Sequence, residues 1–380
     1  MERDTRRRRP EEPERRPAPQ RRRRNKRSPL SNSMLYIVMV CAVSIVLAAV
    51  GWSLANDMLA LNKDKVTATI VVDDENDFGS VVDQLKDNDI IKYKGLFRLF
   101  SALSGGSDKI AQGSYLVDTD MDYRAILNSL GSGSSSRVEV SVTIQEGLTV
   151  RQIFELLEKE GVSTVEKLND MAANHDYAFS FLEDIPLGDP NRLEGYLFPD
   201  TYNFYMGEDP KYVINKMLVN FDSKVDDSMR QKIADKGYTI QELLTVASMI
   251  EKETDGTDRT TIASVIYNRL NNPGAGTTGH LNIDATIQYV LPEGEIVSEE
   301  DYYTVESPYN TYLNKGLPPS PIAMPSVAAI NGVLNFENHD YLFFCARPTF
   351  DGYHSFARTY GEHLANARAY SAELNRRNIK

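Results

Sequence analysis

Two carboxylates flank an amine in Ser248-Met249-Ile250-Glu251-Lys252-Glu253-Thr254, at the end of a run with helical spacing. Projected at 100° per residue from Thr239, Leu243, Leu244, Ala247, Ile250 and Glu251 share one side of that helix. Glu251 therefore continues an apolar stripe, whereas Lys252 and Glu253 read as solvent-facing charges. A carboxylate half-enclosed by apolar side chains loses solvation in its charged form. A Glu so placed can hold a proton at neutral pH and deliver it to a leaving oxygen, the acid's part in cleaving a glycosidic bond. A helix-terminal Glu in a buried ion pair, or bonded to a nearby loop, gives the same pattern. The spacing alone leaves both readings open.

The surrounding residue types suit a sugar ligand. Downstream stand Asn282, Asp284, Thr286, Gln288 and Tyr289, then Tyr309-Asn310-Thr311-Tyr312; upstream runs Glu194-Gly195-Tyr196-Leu197-Phe198-Pro199-Asp200-Thr201-Tyr202. Tyrosine rings stack on the apolar faces of sugars, and amides and hydroxyls bind sugar hydroxyls. With 20 Tyr against one Trp, the chain leans on tyrosine for this, although many of these are ordinary core and loop residues. Asp284 and Glu194 are candidates for orienting or charge-stabilising roles. Thr286, Gln288, Tyr289, Tyr309, Asn310 and Tyr312 are candidates for a binding groove.

Other chemistries find little support. There is no Gly-x-Ser-x-Gly elbow. Gly274-Ala275-Gly276-Thr277-Thr278-Gly279 lacks the Gly-Lys-Ser/Thr of a phosphate-binding loop and reads as a rim loop. The five histidines are scattered and no Cys-x-x-Cys or His-Glu-x-x-His occurs, so a zinc site is not expected. Cys41 lies in an apolar span and Cys345 far from it, so no disulfide is expected.

The elements that must position these residues follow from local patterning. Thr239 with Glu242 forms a capping box that opens the helix carrying Glu251. Helical spacing also marks 165–173, 210–222 and 226–236. Near the C-terminus, Tyr341–Ala346 is an apolar strand, Asp351-Gly352 a turn, His354–Ala357 a return strand, and 360–377 a helix. Upstream, Val66–Val72 with Phe78, Val81, Val82 and Leu85 reads as strand, acidic turn and helix. Val138–Ile144 with Val150, Ile153, Phe154 and Leu157 repeats it at an offset of 72 residues. The recurrence is either chance reuse of a common β-α unit or two related modules joined through Gly131-Ser132-Gly133-Ser134-Ser135-Ser136. Gly113–Val117 adds a strand and Tyr123–Leu130 a short helix.

The net charge of -12 over 380 residues is a basic head on an acidic body: residues 1–30 hold 13 of the 42 basic residues and 5 of the 54 acidic ones. Between them lies Leu35–Ala55, 21 residues without a charge. As a helix this spans roughly 30 Å, a bilayer core. Basic residues before it and acidic residues after it predict a cytoplasmic N-terminus and an outer C-terminal part. Ser53 and Ala55 make a small-x-small site, so a cleaved signal peptide is the alternative; the long apolar run and long leader favour a retained anchor. Topology and anionic lipid account for the basic leader, and no nucleic-acid partner is expected.

Taken together, the helix Leu244–Thr254, "EGYLFPDTY", "IDAT…QY", "YNTY" and "GLPPSPIAMPS" resemble the YceG-like (MltG) family of membrane-anchored endolytic murein transglycosylases. The resemblance covers roughly 140–375. It implies a catalytic Glu at the first position of Glu-Lys-Glu-Thr, which is Glu251, and a LysM-like module beginning near "VTIQEGLTVRQIFELL". It further implies cleavage of the β-1,4 bond between N-acetylmuramic acid and N-acetylglucosamine with closure of a 1,6-anhydro ring. No cofactor is implied. Partners would be glycan strands and the peptidoglycan synthesis machinery of elongation and division. Ile283 departs from the family's frequent Ser or Thr.

The expected architecture is α+β: a disordered basic tail (1–34), a transmembrane helix (35–55), a membrane-proximal β-α module with linker (56–136), a LysM-like module (137–185) and a mixed α+β catalytic domain (186–380). Glu251 should lie partly buried at the floor of a groove bordered by 284–289 and 309–312. Two rivals stay open, hydrolysis by water and a non-catalytic glycan-binding or division scaffold.

Overall fold

The apolar run near the N-terminus forms one long helix, α1 (Pro29–Leu59), apolar enough to cross a membrane over Ser33–Leu59. Leu35, Ile37, Ile45 and Leu47 on it are exposed, as lipid-facing side chains would be. In the computed structural model the described residues are 29–73, 78–131, 136–254, 256, 258–274 and 276–377. The expected disordered tail up to residue 28, residues 132–135 of the Gly/Ser connection and Ala275 of the rim loop lie outside them.

Residues from 57 onward make one compact unit. It begins with β1 (Thr67–Val72), α2 (Phe78–Asp87), α3 (Lys94–Ser104) and β2 (Gly113–Asp118), followed by α4 (Tyr123–Ser129). β1 and β2 pair antiparallel, Thr67 opposite Asp118 and Val72 opposite Gly113. The helical spacing of Val81, Val82 and Leu85 puts all three in a core with Ile70, Phe97 and Tyr115. Asp57 closes the start of this unit by accepting from the Lys92 and Tyr93 amides and from Tyr123 Oη.

The second copy runs β3 (Glu139–Thr143), α5 (Val150–Lys159), α6 (Val165–Asn174) and β4 (Thr201–Tyr205). Again the two strands pair antiparallel, Glu139 opposite Tyr205 and Thr143 opposite Thr201. The recurrence therefore extends past the strand, turn and helix visible in the sequence to a second helix and a closing strand. The two copies join through backbone bonds: Ser114 N–H donates to Met206 O and Val138 N–H to Ser114 O. β4 lies beyond residue 185, so its ladder with β3 crosses the division expected there. The core crosses it too, since Val142, Phe154 and Leu157 share one cluster with Phe221, Leu244, Ile266 and Val333. Local periodicity does not reveal a strand partner this distant in sequence.

The rest is mainly helical: α7 (Pro210–Lys224), α8 (Asp227–Asp235), α9 (Ile240–Glu253), α10 (Arg259–Asn271), the short α11 (Asp284–Gln288) and α12 (Asp301–Thr304), and α13 (Val327–Leu334). The hairpin of β5 (Phe343–Ala346) and β6 (His354–Ala357) and the helix α14 (Tyr360–Arg376) end the chain. The Thr239–Glu242 capping box opens α9 as its sequence predicts. However, α9 is not amphipathic in the fold. Every residue from Leu243 to Ile250 is buried, including Thr245, Ser248 and Met249. A helix covered all round has no solvent face to which a charge can turn.

Glu194, only 1% exposed, sits under the first turn of α5. The Val150 amide donates to its two oxygens at 3.1 and 3.3 Å, and Tyr289 Oη donates at 3.0 Å. Burial is the dominant influence and pushes Glu194 up to about 8, against the hydrogen bonds from Tyr289 and Val150. A folded value above the ordinary 4.5 means that the native state keeps a proton the unfolded chain has released. The corresponding stability is fully present below pH 4.5 and is lost as pH rises toward about 8. The unfolding free energy should therefore carry a downward slope of up to about 1.4 kcal/mol per pH unit over that window from this group. Urea unfolding at stepped pH should show that slope in the native chain and its reduction in Glu194→Gln; equal slopes in both would contradict this reading of Glu194.

Candidate active site

Glu251 stands in the last turn of α9, partly exposed, where the helix emerges from the core. A proline-rich segment fixes it. That segment runs alongside α9 and is held at three points: Gln241 Nε2 donates to Pro319 O at 3.0 Å, the Ile322 amide donates to Ser248 Oγ at 3.0 Å, and the Ser326 amide donates to Glu251 Oε2 at 3.0 Å. Ser326 Oγ donates to the same Oε2 and accepts from the Ala329 amide, so one hydroxyl caps α13 and grips the carboxylate. The Ile322, Met324 and Ser326 amides all donate, and the prolines of the segment restrict its backbone.

The other motifs buttress the segment. Gly195 has a φ of 89°, and a Cβ there would come within 2.8 Å of Pro321, so Glu194-Gly195-Tyr196 can accept only glycine at its centre. The β3–α5 turn pairs with the segment through Gly147 N–H to Met324 O and Met324 N–H to Leu148 O, both 2.8 Å. Lys252 is exposed and donates to Gly147 O at 3.3 Å. Ser326 closes the "GLPPSPIAMPS" motif, but its residue type alone does not mark it as a functional residue.

Glu251 opens onto a cleft of about 510 Å³ walled by Arg347, Phe350, Tyr353 and His354 of the β5–β6 hairpin and by Tyr370 of α14. An adjoining cleft of about 620 Å³ holds Asp284, Tyr312, Tyr303 and Arg269. Glu253, Ala346 and His354 line both. The groove expected against 284–289 and 309–312 is thus divided: Asp284 and Tyr312 border the second cleft with Glu253, and the hairpin borders Glu251. The hairpin's side chains carried no sequence signal beyond a turn. Glu253 is not the solvent-facing charge that its helical angle suggests, because the hairpin and α11 cover that side of α9.

The remaining candidate residues are placed in two ways. Asp284 accepts from the hydroxyls of two tyrosines stacked on each other, from Tyr302 Oη at 3.1 Å and from Tyr312 Oη, the two rings being 4.1 Å apart. Thr286 and Asn310, expected on the groove wall, are sealed inside. Thr286 Oγ1 bonds Ile283 O and Thr311 Oγ1, and Asn310 Nδ2 donates to Val305 O while its Oδ1 takes the Tyr312 amide. Gln288 ties down the loop after α11 through Glu295 O and the Val297 amide. Tyr289 is spent on Glu194, and Tyr309 Oη lies 2.6 Å from Ser320 Oγ. Glu194 itself is the buried strut described above. The Ile283 side chain is buried, and its amide donates to Thr311 Oγ1, so the departure at this position leaves the backbone contact intact.

His354 connects the two clefts to the loop after α9. Its Nδ1 lies 3.0 Å from Asp258 Oδ2, which also takes the His354 amide at 2.9 Å, while Asp258 Oδ1 accepts from Thr254 Oγ1. This links the hairpin to the turn directly after Glu253.

The YceG-like family model matches residues 70–369. An endolytic murein transglycosylase of Bacillus subtilis is 29% identical over 321 residues, 82% of this chain and 87% of that protein. One from Streptococcus pneumoniae (D39) is 30% identical over 314 residues, 75% of this chain and 55% of that longer protein. The crystal structure of a yceG-like protein from Listeria monocytogenes has a TM-score of 0.52 at 27% identity and covers 80% of this chain and 99% of its own. With most of its length matched by the family model, the chain belongs to the YceG-like family.

Proposed function

We propose that the chain is an endolytic murein transglycosylase in which Glu251 is the acid and base. Glu251 would protonate the bridging oxygen between N-acetylmuramic acid and N-acetylglucosamine. The same carboxylate would then take the proton of the muramic acid 6-hydroxyl as that oxygen closes a 1,6-anhydro ring. The observation that carries this reading is the holding of Glu251 at one oxygen only. Ser326 occupies Oε2 with two hydrogen bonds, no cation pairs with the group among the described residues, and the side chain opens onto a cleft. A single carboxyl group that must give a proton and take one back needs a fixed orientation and a free oxygen.

The β3–α5–α6–β4 unit is the proposed LysM-like module. Its two-helix connection between antiparallel strands supports this, and its β3–α5 turn abuts the segment that holds Glu251. A helix able to span a membrane supports an anchored enzyme with a cytoplasmic N-terminus and an outer catalytic part, acting on strands as they emerge and ending their elongation. The synthesis machinery of growth and division would then be near it.

Digestion of purified glycan strands should yield anhydro-ended products from the native chain and none from Glu251→Gln, with unchanged circular dichroism; exclusively reducing ends would favour hydrolysis by water. Ser326→Ala should lower kcat by about 10- to 100-fold through loss of orientation. It should also cost about 1 kcal/mol in stability through the lost α13 cap. A Ser326→Ala enzyme of native kcat would remove the orienting role assigned to Ser326.

A further inference from the structure

Glu253 is the carboxyl group that both clefts share, yet it makes no hydrogen bond or ion pair among the described residues. The cations near it are committed elsewhere. Lys252 Nζ donates to Gly147 O, Arg269 donates to the carbonyls of Leu342 and Leu281, and Arg347 Nε donates to His354 O. Its charged neighbour across the second cleft is another carboxylate, Asp284, which is already taken by two tyrosine hydroxyls. From the hairpin it is faced by His354, bound to Asp258, and by Cys345; from α14 by His363 and Tyr360.

Burial, and after it the charge of Asp284, push Glu253 up to about 7. Near neutrality much of the group is therefore an uncharged acid with an O–H to donate, and among the described residues no protein acceptor lies within hydrogen-bond distance of it. On a strand of N-acetylated sugars, the acetamido carbonyl is the strongest uncharged acceptor. An ionised Glu253 would instead set two acceptors against each other.

We propose that Glu253 is a second substrate-contacting group, donating a hydrogen bond to the acetamido carbonyl oxygen of a sugar bound across the two clefts. This deepens the reading of Glu251 as the cleaving acid and rests on it. Glu251 and Glu253 then divide the work along one strand. The first reaches the bridging oxygen, and the second holds a neighbouring sugar and makes binding sensitive to pH.

The test is binding of a tetrasaccharide of alternating N-acetylglucosamine and N-acetylmuramic acid to the full chain in detergent, in a Glu251→Gln background that leaves the ligand uncut. Affinity should fall by about tenfold from pH 6 to pH 8.5 as the donor is lost. Adding Glu253→Gln, which keeps an N–H donor and cannot ionise, should hold affinity near the pH 6 value throughout. Adding Glu253→Ala should give the weak value at every pH. The proposal is overturned if the Gln variant keeps the pH-dependent fall, if Glu251→Gln alone shows none, or if the Ala variant binds like its parent at pH 6. Strand cleavage by Glu251→Gln would instead sink the underlying reading, whatever the binding profiles show.

Discussion

The grip of Ser326 on Glu251 organises the helical half of this protein. An exposed glutamate at a helix end would sample many rotamers, and its proton would be poorly aimed. Here the amide and the hydroxyl of one residue meet at Oε2. That geometry exists only if Ser326 is itself immobile. It is held below by α13, which it caps, and along its approach by the contacts of Gln241 and Ser248 with Pro319 and Ile322. Removing any of these leaves the chemistry possible in principle and the aim uncertain.

Seen from that contact, several motifs have a common purpose. The glycine of Glu194-Gly195-Tyr196 leaves room for Pro321. Glu194 locks the first turn of α5 to Tyr289, and the β3–α5 turn bonds the segment at Met324. Most of the polar residues in these motifs therefore act on protein, not on a ligand. The cleft surface comes instead from the β5–β6 hairpin, Tyr370, Asp284 and Tyr312. A buried strut with a costly carboxyl group at its centre is a sensible expense where a reactive side chain must be placed to within a fraction of an ångström.

Much of this was legible in the sequence. The capping box, the hairpin with its Asp351-Gly352 turn, the strand-helix recurrence and Glu251 at the core boundary all follow from short-range rules that the fold obeys. What stayed hidden depends on contacts distant in sequence. A helical wheel assumes one wet side along the whole helix and so misplaces Glu253, because α9 has no wet side between Leu243 and Ile250. Thr286 and Asn310 look like sugar ligands by type, but Thr286 is used in the α11 turn and Asn310 ties down the loop after α12. The division expected at residue 185 failed to anticipate β4 because a strand and its partner share no local pattern. Ser326 had no signal of its own, since a serine after proline is common and its importance comes entirely from what lies opposite.

If Glu251 is the cleaving acid, a glycan bound in the cleft has its bridging oxygen at the free oxygen of Glu251. A crystal structure of Glu251→Gln with a bound tetrasaccharide tests this most directly. A bridging oxygen is expected within hydrogen-bond distance, about 3 Å, of the residue 251 side chain, with Ser326 still holding its other end. A strand seated elsewhere, or one whose bridging oxygens all lie beyond reach of residue 251, would contradict it.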